Sequence, residues 1–243
     1  MFHFVITDQS VRMYIIMVLA AVLTGYLLAV ILLLRQKVSF EYIMYSVMMN
    51  TFFMLAGGMI YTIVAKPSLL FELSFPYIPG MSSTGAGIGM IAGTVLISIL
   101  IPFAKEAFLD SYALVIPLIY AIAKIGCFFA GCCEGFAYEG FCAVDYTLKS
   151  ERDGICFPVQ LAETVVFFII FLIGFSLYLS RKRKYLTVTL LMLSLSAKFL
   201  LEFLRNEHVG KIVTVNQVAC LLLLAVILIC ILYKKFKTRH EAD

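Results

Sequence analysis

The sequence predicts an all-α integral membrane protein: a seven-transmembrane-helix bundle with its N-terminus outside and its C-terminus cytoplasmic. Three observations lead there. Of 243 residues, 63% are hydrophobic and 14% charged, whereas a soluble domain is roughly half apolar and about a quarter charged. A spanning helix needs about 20 mostly apolar residues, and seven stretches qualify, near 13–34, 42–65, 86–104, 112–130, 158–180, 185–203 and 214–233. Basic residues are concentrated in alternate connections. A helical bundle in lipid reads as one unit, so residues 1–243 form a single transmembrane domain with a short outer-face loop near 136–157.

The first stretch is too long for the apolar core of a signal peptide. Its leading residues are not basic and no cleavage site follows, so it is expected to be retained as a helix. The third opens on "TGAGIGMIAG", where Gly85, Gly89 and Gly93 recur every fourth residue. Such a stripe lets two helices approach closely in lipid. No strand precedes it, which excludes a nucleotide-binding glycine loop. The amides at Thr84 and Gly85 begin this helix at the outer face, where a lipid phosphate can meet them. "KEAFLD" is expected to be a loop before the fourth helix. Pro158 suits the first turn of the fifth. "RKRK" separates the fifth and sixth, and "RNEHVGKIV" the sixth and seventh.

Lysine and arginine set the orientation. One side holds Arg35, Lys37, Lys105, Arg181, Lys182, Arg183, Lys184, Lys234, Lys235, Lys237 and Arg239. The other holds Arg12, Lys66, Lys149, Arg152 and Lys211. The first side is therefore cytoplasmic. The net charge of +4 is modest, and no nucleic-acid partner is expected.

Three cations fall inside the outer ends of helices four and six: Lys124, Lys198 and Arg205. An ionisable group within a span usually faces a partner or a watery cavity. Lys198, Glu202 and Arg205, at i, i+4 and i+7, are expected on one helix face. Gln160 and Glu163 begin the fifth helix, and Glu134 follows the fourth. Snorkelling of the long side chains to the interface accounts for any one cation, but poorly for a whole set of opposite charges on one side. Glu163 and Glu202 are candidate bases if burial favours it, as is Glu134 if it faces inward. Asn206 and His208 lie just beyond, with His208 expected as a solvated loop residue.

Of seven cysteines, Cys127, Cys132, Cys133, Cys142 and Cys156 fall in the outer region, while Cys220 and Cys230 are expected to be inert packing in the last helix. Outside the cytoplasm disulfides are possible. The spacing C-x4-C-C-x8-C-x13-C lacks the paired pattern of a metal site and has no histidine beside it. No metal and no cofactor are expected; small apolar packing is the expected role of the thiols, with a redox or thiol-transfer site as the alternative.

Four blocks, in order, give the chain a resemblance. "GMSSTGAGIG" is similar to GxSFHGGLIG, "KIGCFFAGCCEG" to G-R-x-G-N-F-x-N-G-E-x-x-G, "FPVQLAE" to H-P-x-Q-L-Y-E and "KFLLEFLRNEH" to R-F-x-x-E-x-x-R. These are blocks of the prolipoprotein diacylglyceryl transferase family, and the chain resembles a divergent member. Gly126, Phe128, Gly131, Gly135, Pro158, Gln160, Leu161, Glu163, Glu202 and Arg205 match. Lys124 and Lys198 replace arginines, losing the planar fork that grips phosphate by two bonds. Thr84 and Phe157 stand for histidines, Ala162 for tyrosine, Cys127 and Ala130 for asparagines, and Cys132 for the signature glutamate.

The resemblance implies a bacterial plasma-membrane enzyme that moves a diacylglyceryl group from phosphatidylglycerol to the cysteine thiol of a lipoprotein precursor. Its partners would be phosphatidylglycerol, the precursor's signal peptide and membrane lipid. By this reading Lys124, Glu202 and Arg205 are catalytic. Lys198, Gln160, Glu163, Gly126, Gly131, Gly135, Thr84 and Gly85 form the substrate-binding surroundings. A cation beside a phosphate leaving group stabilises the charge it develops. The alternatives are a non-catalytic lipid- or lipoprotein-binding relative and a transferase with a different acceptor. A transporter is disfavoured, since no paired broken helices mark inverted repeats.

Overall fold

A computed structural model describes residues 2–3, 8–67, 81–146, 155–180 and 183–240. Seven helices follow one another: α1 (Asp8–Arg35), α2 (Phe40–Ala65), α3 (Ser83–Leu100), α4 (Lys105–Ala130), α5 (Val159–Leu179), α6 (Leu186–Leu201) and α7 (Val215–His240). All seven are long and apolar enough to cross a membrane once the short turn after α6 is counted with it. Their outward faces carry large exposed apolar residues such as Leu23, Phe52, Ile99 and Leu222, the surface expected against lipid.

The most buried element is α4, which packs against α1, α3, α5 and α6. Phe108, Tyr112 and Leu114 on it are fully enclosed. Where the sequence suggests a loop at "KEAFLD", the chain is already the start of α4; only the turn Pro102–Ala104 separates it from α3. Pro102 sits at the start of that turn, where its missing N–H costs nothing. The basic residues Lys149, Arg152, Arg181 and Lys182 lie outside the described residues.

The glycine stripe behaves as its spacing foretold. α3 lies so close to α2 that a Cβ on Gly89 would overlap the Phe53 carbonyl, and one on Gly85 would overlap the Gly57 carbonyl and Tyr61. Next to it, Thr94 Oγ1 donates to Asn50 Oδ1 at 3.0 Å and Asn50 Nδ2 to Ser46 O at 3.1 Å, a polar seam buried between the two helices. Such bonds add modestly to close packing in lipid. Gly89→Ala is therefore expected to cost about 1–3 kcal/mol through overpacking, read as a lower unfolding midpoint in detergent. Gly87→Ala, where a Cβ meets nothing within 4 Å, is the control and is expected to keep or slightly raise the midpoint, since alanine favours a helix interior over glycine.

A small three-stranded sheet, order β1-β2-β3, lies at the end of the bundle where α4 finishes and α5 starts. It joins β1 (Phe2–His3), β2 (Val144–Asp145) and β3 (Ile155–Cys156). The described part of the segment near 136–157 is therefore held to the bundle by backbone pairing.

Candidate active site at one end of the bundle

Every ionisable residue singled out from the spans faces inward. Lys124 is 1% exposed, Lys198 5% and Arg205 5%, which rules out snorkelling. Glu163 and Glu202 are fully buried. Glu163 on α5 is the hub: its Oε2 lies 2.7 Å from Lys124 Nζ on α4, and its Oε1 2.7 Å from Lys198 Nζ on α6. The Lys198 contact is also a hydrogen bond, whereas the Lys124 contact is an ion pair without hydrogen-bond alignment. Tyr120, one turn before Lys124, donates its hydroxyl to Glu163 Oε1 at 2.9 Å. Its ring lies 5.1 Å from Lys124 Nζ and 5.7 Å from Lys198 Nζ, within cation–π range.

Glu202 is the second hub. Its Oε2 meets Lys198 Nζ at 3.1 Å and an Arg205 guanidinium nitrogen at 3.5 Å. Its Oε1 accepts from Asn216 Nδ2 at 2.7 Å and from Thr214 Oγ1 at 3.4 Å. Asn216 Oδ1 in turn accepts from the Tyr61 hydroxyl at 2.7 Å, tying α2 to the network. The expected common face of Lys198, Glu202 and Arg205 does not arise from one helix. α6 ends at Leu201, Glu202–Leu204 tighten into a 3-10 turn, and Arg205 is extended at φ −88 and ψ 144. The turn still returns Arg205 to Glu202.

Two loop crossings bring the blocks together. Gly135 N donates to Phe157 O at 3.2 Å, Phe136 N to Leu204 O at 3.1 Å, and Asn206 N to Glu134 O at 3.1 Å. Residues 134–136 thus run between the start of α5 and the turn after α6. Gly135 forms a bridge with Arg205, and a Cβ there would overlap the Phe157 carbonyl. Gln160 Nε2 donates to Cys132 O at 2.8 Å, while its Oε1, also buried, is unpartnered. Thr164 Oγ1 donates to Ala121 O and to Gln160 O, locking α5 against α4.

Gly126 and Gly131 each sit where the backbone calls for glycine. Gly126 lies against Tyr14 and Met17 of α1. Gly131 caps α4 in the left-handed conformation at φ 58, where glycine avoids the Cβ penalty. Ser82, rather than Thr84, caps α3 by accepting from Gly85 N at 3.3 Å. Glu134 does not face the cluster: its Oε1 accepts from Asn206 Nδ2 at 3.3 Å. His208 is half-buried rather than solvated, its ring edge-on to Phe203 with centroids 4.7 Å apart. Sequence reasoning misses Tyr120, Tyr61, Thr214 and Asn216. A tyrosine one turn from a buried lysine is a usable signal for the first. Nothing local marks the other three.

Counting Lys124, Lys198 and Arg205 against Glu163 and Glu202, the cluster holds three cations and two carboxylates. Among these five side chains one positive charge is in excess, with the Cys133 thiol the nearest further group able to meet it, and Arg205 Nε has no hydrogen-bond partner. Burial alone would lower the basicity of Arg205, but Cys133, Glu202 and Glu163 outweigh it and raise it further. Cys133 is held well below the usual thiol range by hydrogen bonds from Cys127 and Cys132, with Lys124 and Arg205 adding to the effect. Cys156 is pushed up to about 11, mainly by burial. All seven cysteines are free. Cys220 is buried, whereas Cys230 is exposed rather than packed.

Seven membrane-length helices with an ionised, mostly enclosed polar site inside one end define a multi-pass membrane protein. A family model for prolipoprotein diacylglyceryl transferase matches residues 2–233. The chain belongs to that family, and so to a family of transferases that use lipoprotein precursors and phospholipid donors. No curated protein matches the chain.

Proposed function

We propose that this protein transfers the diacylglyceryl group of phosphatidylglycerol to the cysteine thiol of a lipoprotein precursor, at the outer face of the bacterial plasma membrane. Family membership supports the reaction class. The concentration of buried cations supports the phospholipid donor: Lys124, Lys198 and Arg205 outnumber the two carboxylates that meet them, and a phosphodiester is an anion such a site favours. The charge asymmetry of the connections supports an N-out, C-in orientation, which sets the cluster in the outer half. Residues 1–243 act as one domain in this reading.

In the reaction the acceptor sulfur attacks the glyceryl carbon that bears the phosphate oxygen. A carbon–sulfur bond forms, the carbon–oxygen bond breaks, and glycerol phosphate leaves with the electron pair. Arg205 binds the phosphate through its free Nε edge, with the charges of Lys124 and Lys198 adding to the field. Glu202 orients Lys198 and Arg205, and Glu163 holds the two lysines in place. Gln160 offers its unpartnered carbonyl to the head group or to the incoming peptide. Neither carboxylate is free to serve as a base: Glu163 is engaged by two ammonium groups and a phenol, and Glu202 by a lysine, an arginine, an amide and a hydroxyl.

The test is incubation of purified protein with glycerol-labelled phosphatidylglycerol and a lipobox peptide carrying one cysteine, followed by mass spectrometry. A diacylglyceryl thioether with released glycerol phosphate is expected, and the Lys124→Ala variant should lose it. A folded sample that retains phospholipid yet forms no thioether would instead favour the non-catalytic binding role.

A further inference from the structure

The thiols at the end of α4 have no part in the reading above, yet the backbone is bent to gather them. Cys127 lies on the last turn of the helix, and the chain then reverses through Gly131 at φ 58 and Cys133 at φ 60. A left-handed conformation costs a residue with a Cβ roughly 1–2 kcal/mol. Strain of that kind, held in place by its surroundings, tends to mark functional positions. Its result here is that the Sγ atoms of Cys127, Cys132 and Cys133 all lie within 4.8 Å of one another. Three thiolates on one d10 metal ion, with bonds of about 2.3 Å, stand about 3.8 Å apart. The trio comes within about 1 Å of that spacing. Spacing along the chain conceals this, because a helix turn plus two left-handed residues takes the place of a paired motif.

The donor set is chemically narrow. It holds three soft sulfurs, and among the described residues no carboxylate or imidazole joins the group. Soft thiolates select Zn2+ or Cu+. Cys127 is buried while Cys132 and Cys133 are part exposed, so the trio is not fully enclosed. A zinc site with three protein ligands and an open fourth position is the catalytic pattern, not the structural one. The open position has an obvious occupant if the acceptor is a thiol, since a thiol that coordinates zinc is deprotonated outright. Such a device would supply what the threonine and the two buried carboxylates do not. Thr84 is no base near neutral pH, and Glu163 and Glu202 are consumed by their ion pairs.

We propose that Cys127, Cys132 and Cys133 form a zinc site whose fourth position takes the acceptor cysteine and delivers it as a thiolate. This rests on the reading of the acceptor as a lipoprotein thiol. The thiol proton passes to solvent on coordination. The sulfur then attacks the glyceryl carbon, the carbon–oxygen bond breaks toward glycerol phosphate, and the neutral thioether, a poorer ligand, leaves the metal. Zinc neither gains nor loses electrons.

The experiment uses tag-free, reduced, full-length protein in detergent. Metal analysis after zinc loading and desalting is expected to give one zinc per chain, retained in Cys142→Ser and Cys230→Ser and lost in Cys133→Ser. Cobalt loading provides a readout that needs no variant to fold. Thiolate-to-cobalt absorption in the near ultraviolet should intensify when a cysteine lipobox peptide is added, and not with its serine counterpart. Absence of stoichiometric zinc in reduced protein, retention of zinc by Cys133→Ser, a native disulfide within the trio, or cobalt bands indifferent to the peptide would each overturn the proposal. So would exclusive binding of Cu+ in a closed trigonal site. A peptide-responsive cobalt spectrum with no thioether from phosphatidylglycerol would uphold the site and overturn the donor instead.

Discussion

Glu163→Gln is expected to be strongly destabilising. Glu163 is fully enclosed and stands between two ammonium groups, each 2.7 Å from one of its oxygens. Removing its charge leaves Lys124, Lys198 and Arg205 facing Glu202 alone, an excess of two positive charges among these side chains in place of one. Breaking a buried pair in this way costs about 3–5 kcal/mol, because the partners stay desolvated without compensation. The amide can still accept from Tyr120 or Lys198, so the loss comes from charge, not from shape. A second variant separates the two. Glu163→Gln combined with Lys124→Met removes one charge of each sign and should recover a large part of the lost stability. Unfolding midpoints of the wild type, the two single variants and the double variant, measured in one detergent, form the cycle. A double variant as unstable as the sum of the singles would show that the two residues do not act as a pair.

The inward charges are legible in the sequence for a simple reason. Lys124, Glu163 and Lys198 interrupt apolar spans where lipid would penalise them, and the bundle interior is where such groups go. Spacing is a weaker guide wherever helical geometry stops. The i, i+7 relation of Lys198 and Arg205 assumes a helix through residue 205, but α6 gives way to a tighter turn after Leu201. The site survives because Glu202 binds both partners. Asn216 and Tyr61 are invisible in the sequence because Asn216 reaches Glu202 from α7 and Tyr61 reaches Asn216 from α2, far away in the chain. The thiol trio is hidden by two backbone dihedrals, of which Gly131 carries a sequence signal and Cys133 carries none.

The polar network also shows why divergence in the motifs leaves the scaffold intact. Gly126, Gly131 and Gly135 are required by close backbone approach or by a left-handed cap, and all three are kept. Lysine at 124 and 198 reaches Glu163 by its length and needs only a point charge there. The planar fork survives at one place in the cluster, Arg205. That division assigns different work to the cations: the lysines organise α4, α5 and α6 around one carboxylate, and the arginine is left with an unpartnered edge.

Arg205→Lys should therefore retain the fold and lose the reaction. The ammonium can still pair with Glu202, which Arg205 now approaches at 3.5 Å, and the backbone pairing with Gly135 does not involve the side chain. What disappears is the second donor edge, the one proposed to meet the phosphate as it leaves. Removing a single aligned donor from developing charge typically lowers turnover by about 100–1,000-fold, and lysine is not a substitute for a bidentate arginine contact. The expected result is a loss of that order in kcat for thioether formation, an unfolding midpoint close to wild type, and an unchanged zinc content. A near-normal kcat in the Arg205→Lys variant would mean that the phosphate is held elsewhere, at Lys124 or at the amides that open α3.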